Sequence, residues 1–504
     1  MSLLGIDVGT TGLKIALFSL EGEMLASAYR EYDAQSPQPG WAILDAEAVW
    51  KDVKAAIHSV TTAAPGAQVK ALSVSSLGEA LVPVSRDRQI LGPSLLHFDA
   101  RGEEFLEELA PRLPDERLYA INGNTLGNHY SLTKLKWIRT YQLELYERAY
   151  KFLHWSAFIA YMLGAEPVVD YSLANRSLLF DIHACDWSDD LLSAAGLERS
   201  KLPVTVPSGE EIGMVSFHVA AELGLPPSVR IISGAHDQCA NAVGCGVIDP
   251  VGAAYGMGTF HCITPVFADP PAPQTMIARG LNTEHHAVPG RYVTFIYNQG
   301  GSLVKWFRDT FALAEHRQAE AQGRSIYPAL LAEMPAGPSR VMVLPHFTTT
   351  GPPDFIADSS GLIAGLRLDT SRGEILKGIL EGAAFYLKEV VDSLPETGIQ
   401  TAEYRAVGGG SQSDAWVQIC ADIFGQPFTR PAITEAGALG AAIIAGVGAG
   451  LFEDYAQGVA SIVKLERTFE PDPHQHALYQ ARYQTYRRLW PTIADYLRQL
   501  STST

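Results

Sequence analysis

The chain has 504 residues, 47% of them hydrophobic and 18% charged, with a formal net charge of −17. That length predicts two to four domains with ample apolar material for their cores. The acidity argues against nucleic-acid or anionic-membrane partners, which need clustered Lys and Arg, but leaves a nucleotide possible. The five cysteines (Cys185, Cys239, Cys245, Cys262, Cys420) show no CxxC spacing, so free thiols are expected rather than a disulfide framework or a zinc site. The opening MSLLGIDVGTTG lacks a charged segment followed by an apolar one, and no apolar run reaches the length of a membrane span. A soluble cytoplasmic protein is the expectation.

The apolar run Leu3 to Ile6 ends at Asp7, and strands are predicted over Leu13 to Ser19 and Glu23 to Tyr29, with a Gly/Thr turn between the first two. Pro37 to Trp41 reads as a loop. Asp45 to Val60 has helical spacing, with Val49, Trp50, Val53 and Ile57 on one face. Lys70 to Ser75 is a strand candidate leading into Ser76-Leu77-Gly78-Glu79. Ser131 to Tyr141 and Trp155 to Leu163 read as helices. Val229 to Ile232 reads as a strand that breaks at Ser233-Gly234, with the polar tip Ala235-His236-Asp237-Gln238 opening a helix of small residues to Gly246.

Residues 248–252 read as a linker. A Gly/Thr turn followed by a strand from His261 to Phe267 then reopens the pattern of the first residues, a faint sign of internal duplication. Later come a helix Ser371 to Leu394, a strand Glu403 to Val407, the triple glycine 408–410, a helix Ser413 to Phe424 and a final helix His474 to Leu500. Alternating strands and helices give an α/β class. Two lobes are expected, residues 1–247 and 248–504, with a cleft between them.

Three glycine-rich turns stand where strands hand over: Asp7 to Gly12, Gly256 to Thr259, and Gly408 to Ser411. Glycine permits a tight turn and close ligand approach, and the N–H groups it exposes can point at phosphate oxygens. Three such turns predict a nucleotide gripped from two sides.

Several motifs together resemble the FGGY carbohydrate kinases, a family that includes glycerol kinase and xylulokinase, over nearly the full length. One is Ser131-x-x-Lys134-Leu135-x-Trp137-Ile138, with His129 at a position usually aromatic or small. Another is Gly361-x-Ile363-x-Gly365-Leu366, continued by Glu374-Ile375-x-x-Gly378-Ile379-Leu380-Glu381, with Gly378 where Ala or Ser is usual. PGWAILDAEAVW, FDARG, GAHDQ and GGGSQSDAWVQICADIFGQP complete the set.

The resemblance implies a two-lobed actin-like (ribonuclease H-type) ATPase fold and an ATP- and Mg²⁺-dependent kinase. It implies that Asp7 holds Mg²⁺, against the plainer reading of a turn cap. Gly9, Thr10 and Thr11 would line the phosphates, with Gly258 and Thr259 as a second phosphate loop. Gly409, Gly410, Ser413 and Asp414 would contact adenosine, against a plain strand-to-helix turn with its cap. Lys14 either adds charge there or simply faces outward.

Asp237 would be the general base, against a helix cap; His236 is its rival. The sugar site would comprise Gly78, Glu79, His129, Asp237 and Gln238, with Glu79 accepting hydrogen bonds from hydroxyls and Gly78 opening room beside it. Asp99 and Arg101 either contact the sugar or form a structural ion pair; Trp41 and Trp137 read as core. A pentulose is the favoured substrate, a tetritol, pentitol or glycerol the alternative, and a non-kinase actin-like ATPase or a sugar sensor the rivals of another class. Many members form dimers or tetramers, so a homodimer is possible.

Overall fold

The computed structural model describes residues 1–502. Two sheets organise the chain. The first contains β1 (Ser2–Val8), β2 (Gly12–Ser19), β3 (Met24–Glu31), β4 (Val69–Ser76), β5 (Glu211–Met214) and β6 (Arg230–His236), in the order β5-β6-β4-β1-β2-β3. The second contains β7 (Val251–Met257), β8 (Phe260–Phe267), β9 (Glu284–His285), β10 (Tyr292–Val293), β11 (Ile296–Gln299), β12 (Thr401–Val407), β13 (Phe428–Pro431) and β14 (Leu465–Phe469). Its order is β9-β10-β8-β7-β12-β13-β14, with β11 also pairing β8.

The two sheets repeat one another. In each, the opening strand pairs antiparallel with the next and parallel with a later strand: β1 with β2 and β4, β7 with β8 and β12. A further parallel strand follows, β6 beside β4 and β13 beside β12, and each is edged by an antiparallel neighbour, β5 or β14. The duplication hinted at by two Gly/Thr turns is thus a duplication of topology.

Helix α1 (Ala46–Ala63) begins where Asp45 accepts from the N–H groups of Glu47 and Ala48, and it buries the Val49, Val53 and Ile57 face. The helix α2 (Ser131–Tyr141) and the helix α3 (Trp155–Leu163) match their predicted spans. The short α4 (Tyr171–Asn175) is followed by α5 (Asp237–Gly244) and α6 (Gly301–Phe311). Helix α7 (Arg372–Val391) opens on a capping box between Ser371 and Glu374 and stops short of the predicted Leu394. Then come α8 (Asp414–Phe424) and α9 (Ala436–Gly448). The long final helix is two, α10 (Pro473–Tyr486) and α11 (Leu489–Thr502). Pro491 explains the break, because a proline deep in a continuous helix removes a donor and clashes with the preceding turn.

β6 also departs from expectation. It does not end at Ser233-Gly234 but runs to His236, with a register shift against β4 between Ile232 and Ala235. A Cβ at Gly234 would lie 1.7 Å from the Val74 carbonyl oxygen, so glycine here lets the two strands approach at the irregularity.

Three buried apolar clusters hold the molecule together. One lies in the first half, one in the second, and the third joins Leu3, Phe18, Ile232 and Cys239 to Leu439, Ile443 and Ile444. The third exists because α9, from the second half, lies on the first sheet and crosses α5. The crossing is close: a Cβ on Gly440 would sit 1.9 Å from the Ala240 carbonyl oxygen, and one on Gly244 equally near that of Ala436. Among the described residues no helix is long and apolar enough to cross a membrane. Gly440→Ala should destabilise the fold by about 1–3 kcal/mol through overpacking. A denaturation midpoint equal to that of the unmodified protein would refute this account of the crossing.

Candidate active site

The parallel strands β6, β4 and β1 lie side by side and end together, with Asp7 opposite Ser75 and His236 opposite Ser76. Carboxyl ends of parallel strands are where α/β sheets present ligand groups. The Ser75 hydroxyl donates to Asp7 Oδ1 at 2.8 Å. On its other side Asp7 meets the first turn of α9: a Cβ on Gly437 would lie 2.3 Å from Asp7 Oδ2. Burial raises the Asp7 carboxyl to about 6, against the pull of Ser75 and of Lys14. Lys14 itself pairs with Glu435 at 2.7 Å, tying β2 to the start of α9.

Asp237 is the first residue of α5, and His236, at the cap position, makes no side-chain cap bond. The helix-cap reading of Asp237 therefore falls away. Gln238 Nε2 donates to Asp237 Oδ1 at 3.2 Å, and His236 Nε2 lies at the same distance from that oxygen. Burial raises the Asp237 carboxyl to about 7, and the negative charges of Asp7 and Glu79 push in the same direction. The same burial lowers His236 to about 3, so its imidazole is neutral.

A carboxylate lifted this far by burial and like charge is suited to a cation. Among the described residues no group of three or more His, Cys, Asp or Glu side chains is arranged to enclose one. The donor set suits Mg²⁺ in particular, which keeps much of its water and takes one or two carboxylates together with phosphate oxygens.

The first glycine turn is closed by Gly9 N–H donating to the Gly12 carbonyl at 2.9 Å, and the Tyr32 hydroxyl supports it by donating to the Gly9 carbonyl at 2.7 Å. The Thr10 and Thr11 side chains make no hydrogen bond within the described residues. The second turn, Gly258-Thr259, receives the N-terminus of α6: Gly301 N–H donates to the Gly258 carbonyl at 2.9 Å and Ser302 N–H to that of Thr259 at 3.0 Å. The third turn packs on the second, since a Cβ on Gly410 would lie 3.0 Å from the Met257 carbonyl oxygen, whereas Gly409 faces open space.

Gly408 N–H donates to the Thr434 carbonyl at 3.4 Å, next to Glu435, so the segment 434–437 connects the third turn to Lys14 and Asp7. Ser413 and Asp414 have other partners. Ser413 caps α8 through the Trp416 N–H, and Asp414 pairs with Arg430 at 2.8 Å and with Arg467. Both make structural bonds here, in keeping with the strand-to-helix turn weighed against an adenosine contact. The α6 N-terminus, Gly300 to Ser302, was not singled out from sequence; its doublet of glycines before an amphipathic run was the available signal.

On the far side of Asp237, Glu79 is bound by Arg176, whose Nε donates to Glu79 Oε1 at 2.8 Å and whose Nη2 reaches the same oxygen. Arg176 Nη1 also lies 2.5 Å from Glu284 Oε1. Burial opposes the ionised Glu79, but the Arg176 guanidinium outweighs it and holds the carboxyl well below the usual range. Gly78 does not open room for a ligand. A Cβ there would meet His236 Nε2 at 3.1 Å and Arg176 Cγ at 3.3 Å, so protein atoms already fill that space.

His129 stacks 3.9 Å from Tyr130, and burial lowers it to about 3. His97 and His154 also interact with Glu79 and are likewise lowered by burial. Sequence reading missed Arg176, Glu284, His97 and His154. Asp99 and Arg101 form a bidentate ion pair at 2.9 and 2.6 Å, with the guanidinium 3.9 Å from the Trp41 ring and 5.0 Å from Trp137. They are a structural pair, and the two tryptophans clamp it.

Comparisons with known proteins bear on the family and the fold. Residues 2–244 match the model of the FGGY family of carbohydrate kinases, N-terminal domain, and residues 253–449 that of its C-terminal domain. The chain is 27% identical over 498 residues to the xylulose kinase of Escherichia coli strain K12, covering 97% of this chain and 99% of that one. It is 30% identical over 500 residues to an autoinducer-2 kinase of Escherichia coli strain SMS-3-5, covering 95% and 92%. The solved xylulose kinase of Rhodospirillum rubrum superposes with a TM-score of 0.85 at 27% identity, covering 99% of this chain and all of that one. With its duplicated sheets, the chain belongs to the FGGY family of carbohydrate kinases and has the actin-like ATPase fold.

Proposed function

We propose that this carbohydrate kinase uses ATP and Mg²⁺ to phosphorylate a terminal hydroxyl of a small sugar, with a pentulose favoured over a tetritol, pentitol or glycerol. Membership of the family sets aside the non-kinase ATPase reading. The observation that carries the proposal is the position of Asp237. It is pushed up by Asp7 on the nucleotide side and by Glu79 on the sugar side, so one carboxylate adjoins both halves of a transfer reaction. The pentulose preference is supported by xylulose kinases among the similar proteins. We divide the chain after Val247, with 1–247 carrying the sugar site and first phosphate turn and 248–504 the remaining turns.

Each residue then has a task. Asp237 accepts the proton of the attacking hydroxyl as its oxygen bonds to phosphorus and ADP departs. His236, lowered to about 3, is much the weaker base and orients Asp237 instead. Glu79, fixed by Arg176, accepts hydrogen bonds from sugar hydroxyls, and His129 and Gln238 border the same space. Gly9 shapes the turn from which Thr10 and Thr11 offer donors to phosphates, Gly258 and Thr259 offer them from the second turn, and Gly409, with Gly410 packed beneath it, leaves room for the nucleoside. Asp7 would hold Mg²⁺, which when bound neutralises phosphate charge. Closure of the lobes would exclude water, so that the sugar is the nucleophile.

Asp237→Asn should lower kcat by about 10²–10⁴ while nucleotide affinity, read by calorimetry, stays nearly the same; unchanged turnover would remove Asp237 as the base. The same variant should gain stability at alkaline pH. An Asp raised to about 7 in the fold is below that value when unfolded, so its stabilising contribution is complete below about pH 4 and is lost as pH rises through about 7. The Tm of Asp237→Asn relative to the unmodified protein should therefore climb between pH 5 and pH 8, and a flat difference would contradict the burial account. A coupled ADP-release screen over ketopentoses, tetritols, pentitols, glycerol and gluconate should give its highest kcat/KM with a ketopentose; ADP release independent of any added sugar would defeat the kinase proposal.

A further inference from the structure

The charges around Arg176 deepen the reading above and rest on it. Arg176 follows α4 in the first half of the chain and is bound on two sides, by Glu79 from the first half and by Glu284, the first residue of β9, from the second. The aliphatic stem of Arg176 fills the space beside Gly78, its Cγ lying 3.3 Å from where a Cβ on that glycine would stand.

Glu284 is fixed against the first half. Thr283 N–H donates to the Gly123 carbonyl at 2.8 Å, and the Tyr119 hydroxyl donates to the Leu281 carbonyl at 3.0 Å. His285 N–H donates to Asn175 Oδ1 at 3.2 Å, and Asn282 Nδ2 donates to Glu284 Oε1 at 2.6 Å. Glu284 is 1% exposed, and its Oε2 is buried with no hydrogen-bond partner.

Two buried carboxyl groups stand against one guanidinium: burial raises Glu284 while Arg176 pulls against that rise, and with both ionised they carry one negative charge more than Arg176 offsets, to which an unpartnered buried oxygen adds a further penalty. Tethering the halves does not require that excess, because the backbone bonds of 281–285 already do so. Nearby side chains do not offset it. His129, His154 and His236 are kept neutral by burial, and Lys134 directs its ammonium at the carbonyls of Asp99 and Arg101, at 2.5 and 2.8 Å, without an ion pair to Glu79 or Glu284.

We infer that Glu284 is a specificity-determining residue: with Glu79 it over-compensates Arg176, so the sugar site takes uncharged polyhydroxylic substrates and rejects sugar acids. Without Glu284, Nη1 of Arg176 is free to donate a charge-assisted hydrogen bond to a substrate carboxylate. A role as tether alone would weaken neutral and acidic substrates equally.

The test uses the full-length enzyme and compares a ketopentose with the aldonate of equal chain length. In Glu284→Gln the ratio of kcat/KM for aldonate to kcat/KM for ketopentose should rise by at least about tenfold, the scale of relieved like-charge repulsion. An unchanged ratio in a variant that still phosphorylates the ketopentose overturns the inference and leaves the kinase reading standing. A second measurement needs no variant: on the unmodified enzyme an alditol should inhibit at a concentration at least about tenfold below the matching aldonate. Equal inhibition overturns the inference, and an unmodified enzyme that phosphorylates aldonates but no neutral sugar overturns it together with the proposed substrate class.

Discussion

The contact of α9 with the first sheet is the constraint on which the site depends. A helix from the second half lies where Gly5 meets Ala438, Gly440 meets Ala240 and Gly437 meets the Asp7 carboxylate. Each approach is closer than any side chain allows, so the helix sits at backbone distance from β1 and α5. This has an electrostatic result as well as a packing one. It brings the N-terminal turn of α9, with its unpaired N–H groups, to the same carboxylate that burial destabilises. Lys14 and Glu435 then bridge the halves at the edge of the contact.

Around this seam the molecule carries charge in an unfavourable arrangement. Asp7 and Asp237 are raised, while four imidazoles near Glu79 are lowered to neutrality. Glu79 is held well below the ordinary carboxylate range because Arg176 is bound to it. Clustering of perturbed groups of both kinds in one cleft is the pattern of a reaction site, in which ligand and cation complete what the protein leaves unbalanced. A fold selected for stability alone would replace Asp237 and Glu284 first.

What the sequence disclosed follows from which features are local. Asp7, Asp237 and the glycine turns each stand next to the strand that presents them, so a run of apolar residues and its terminator were enough to place them. Gly234 misled because a glycine inside a β-branched run reads as a stop, whereas it lets β6 pass beside Val74. Gly78 misled in the opposite sense: an absent side chain looked like space for a ligand, but the space belongs to His236 and Arg176. The Arg176 bonds to Glu79 and Glu284 span 97 and 108 residues of sequence, and nothing in the neighbourhood of any of the three residues announces the others. The triad became visible only when α4, β9 and the Gly78 loop were brought together.

The duplication also explains how labour is divided between the halves. Asp7-Val8-Gly9-Thr10 ends β1, and Gly256-Met257-Gly258-Thr259 ends β7, its counterpart in the second sheet. The turn residues agree, but the aspartate of the first has become glycine in the second. The first half likewise follows β6 with Asp237, whereas the second presents the glycine turns Gly256 to Thr259 and Gly408 to Gly410. Asp7 and Asp237 therefore come from the first half, and the glycine turns at Gly258 and Gly409 from the second. On the proposed reading, a cation held by Asp7 would give a bound nucleotide a direction, with Asp237 on the same half of the chain as that cation. A symmetric pair of acidic turns would repel the phosphates from both walls, and a symmetric pair of neutral ones would hold no cation. The replacement of a carboxylate by glycine in one copy of the repeat thus makes the two otherwise similar strand ends chemically unlike.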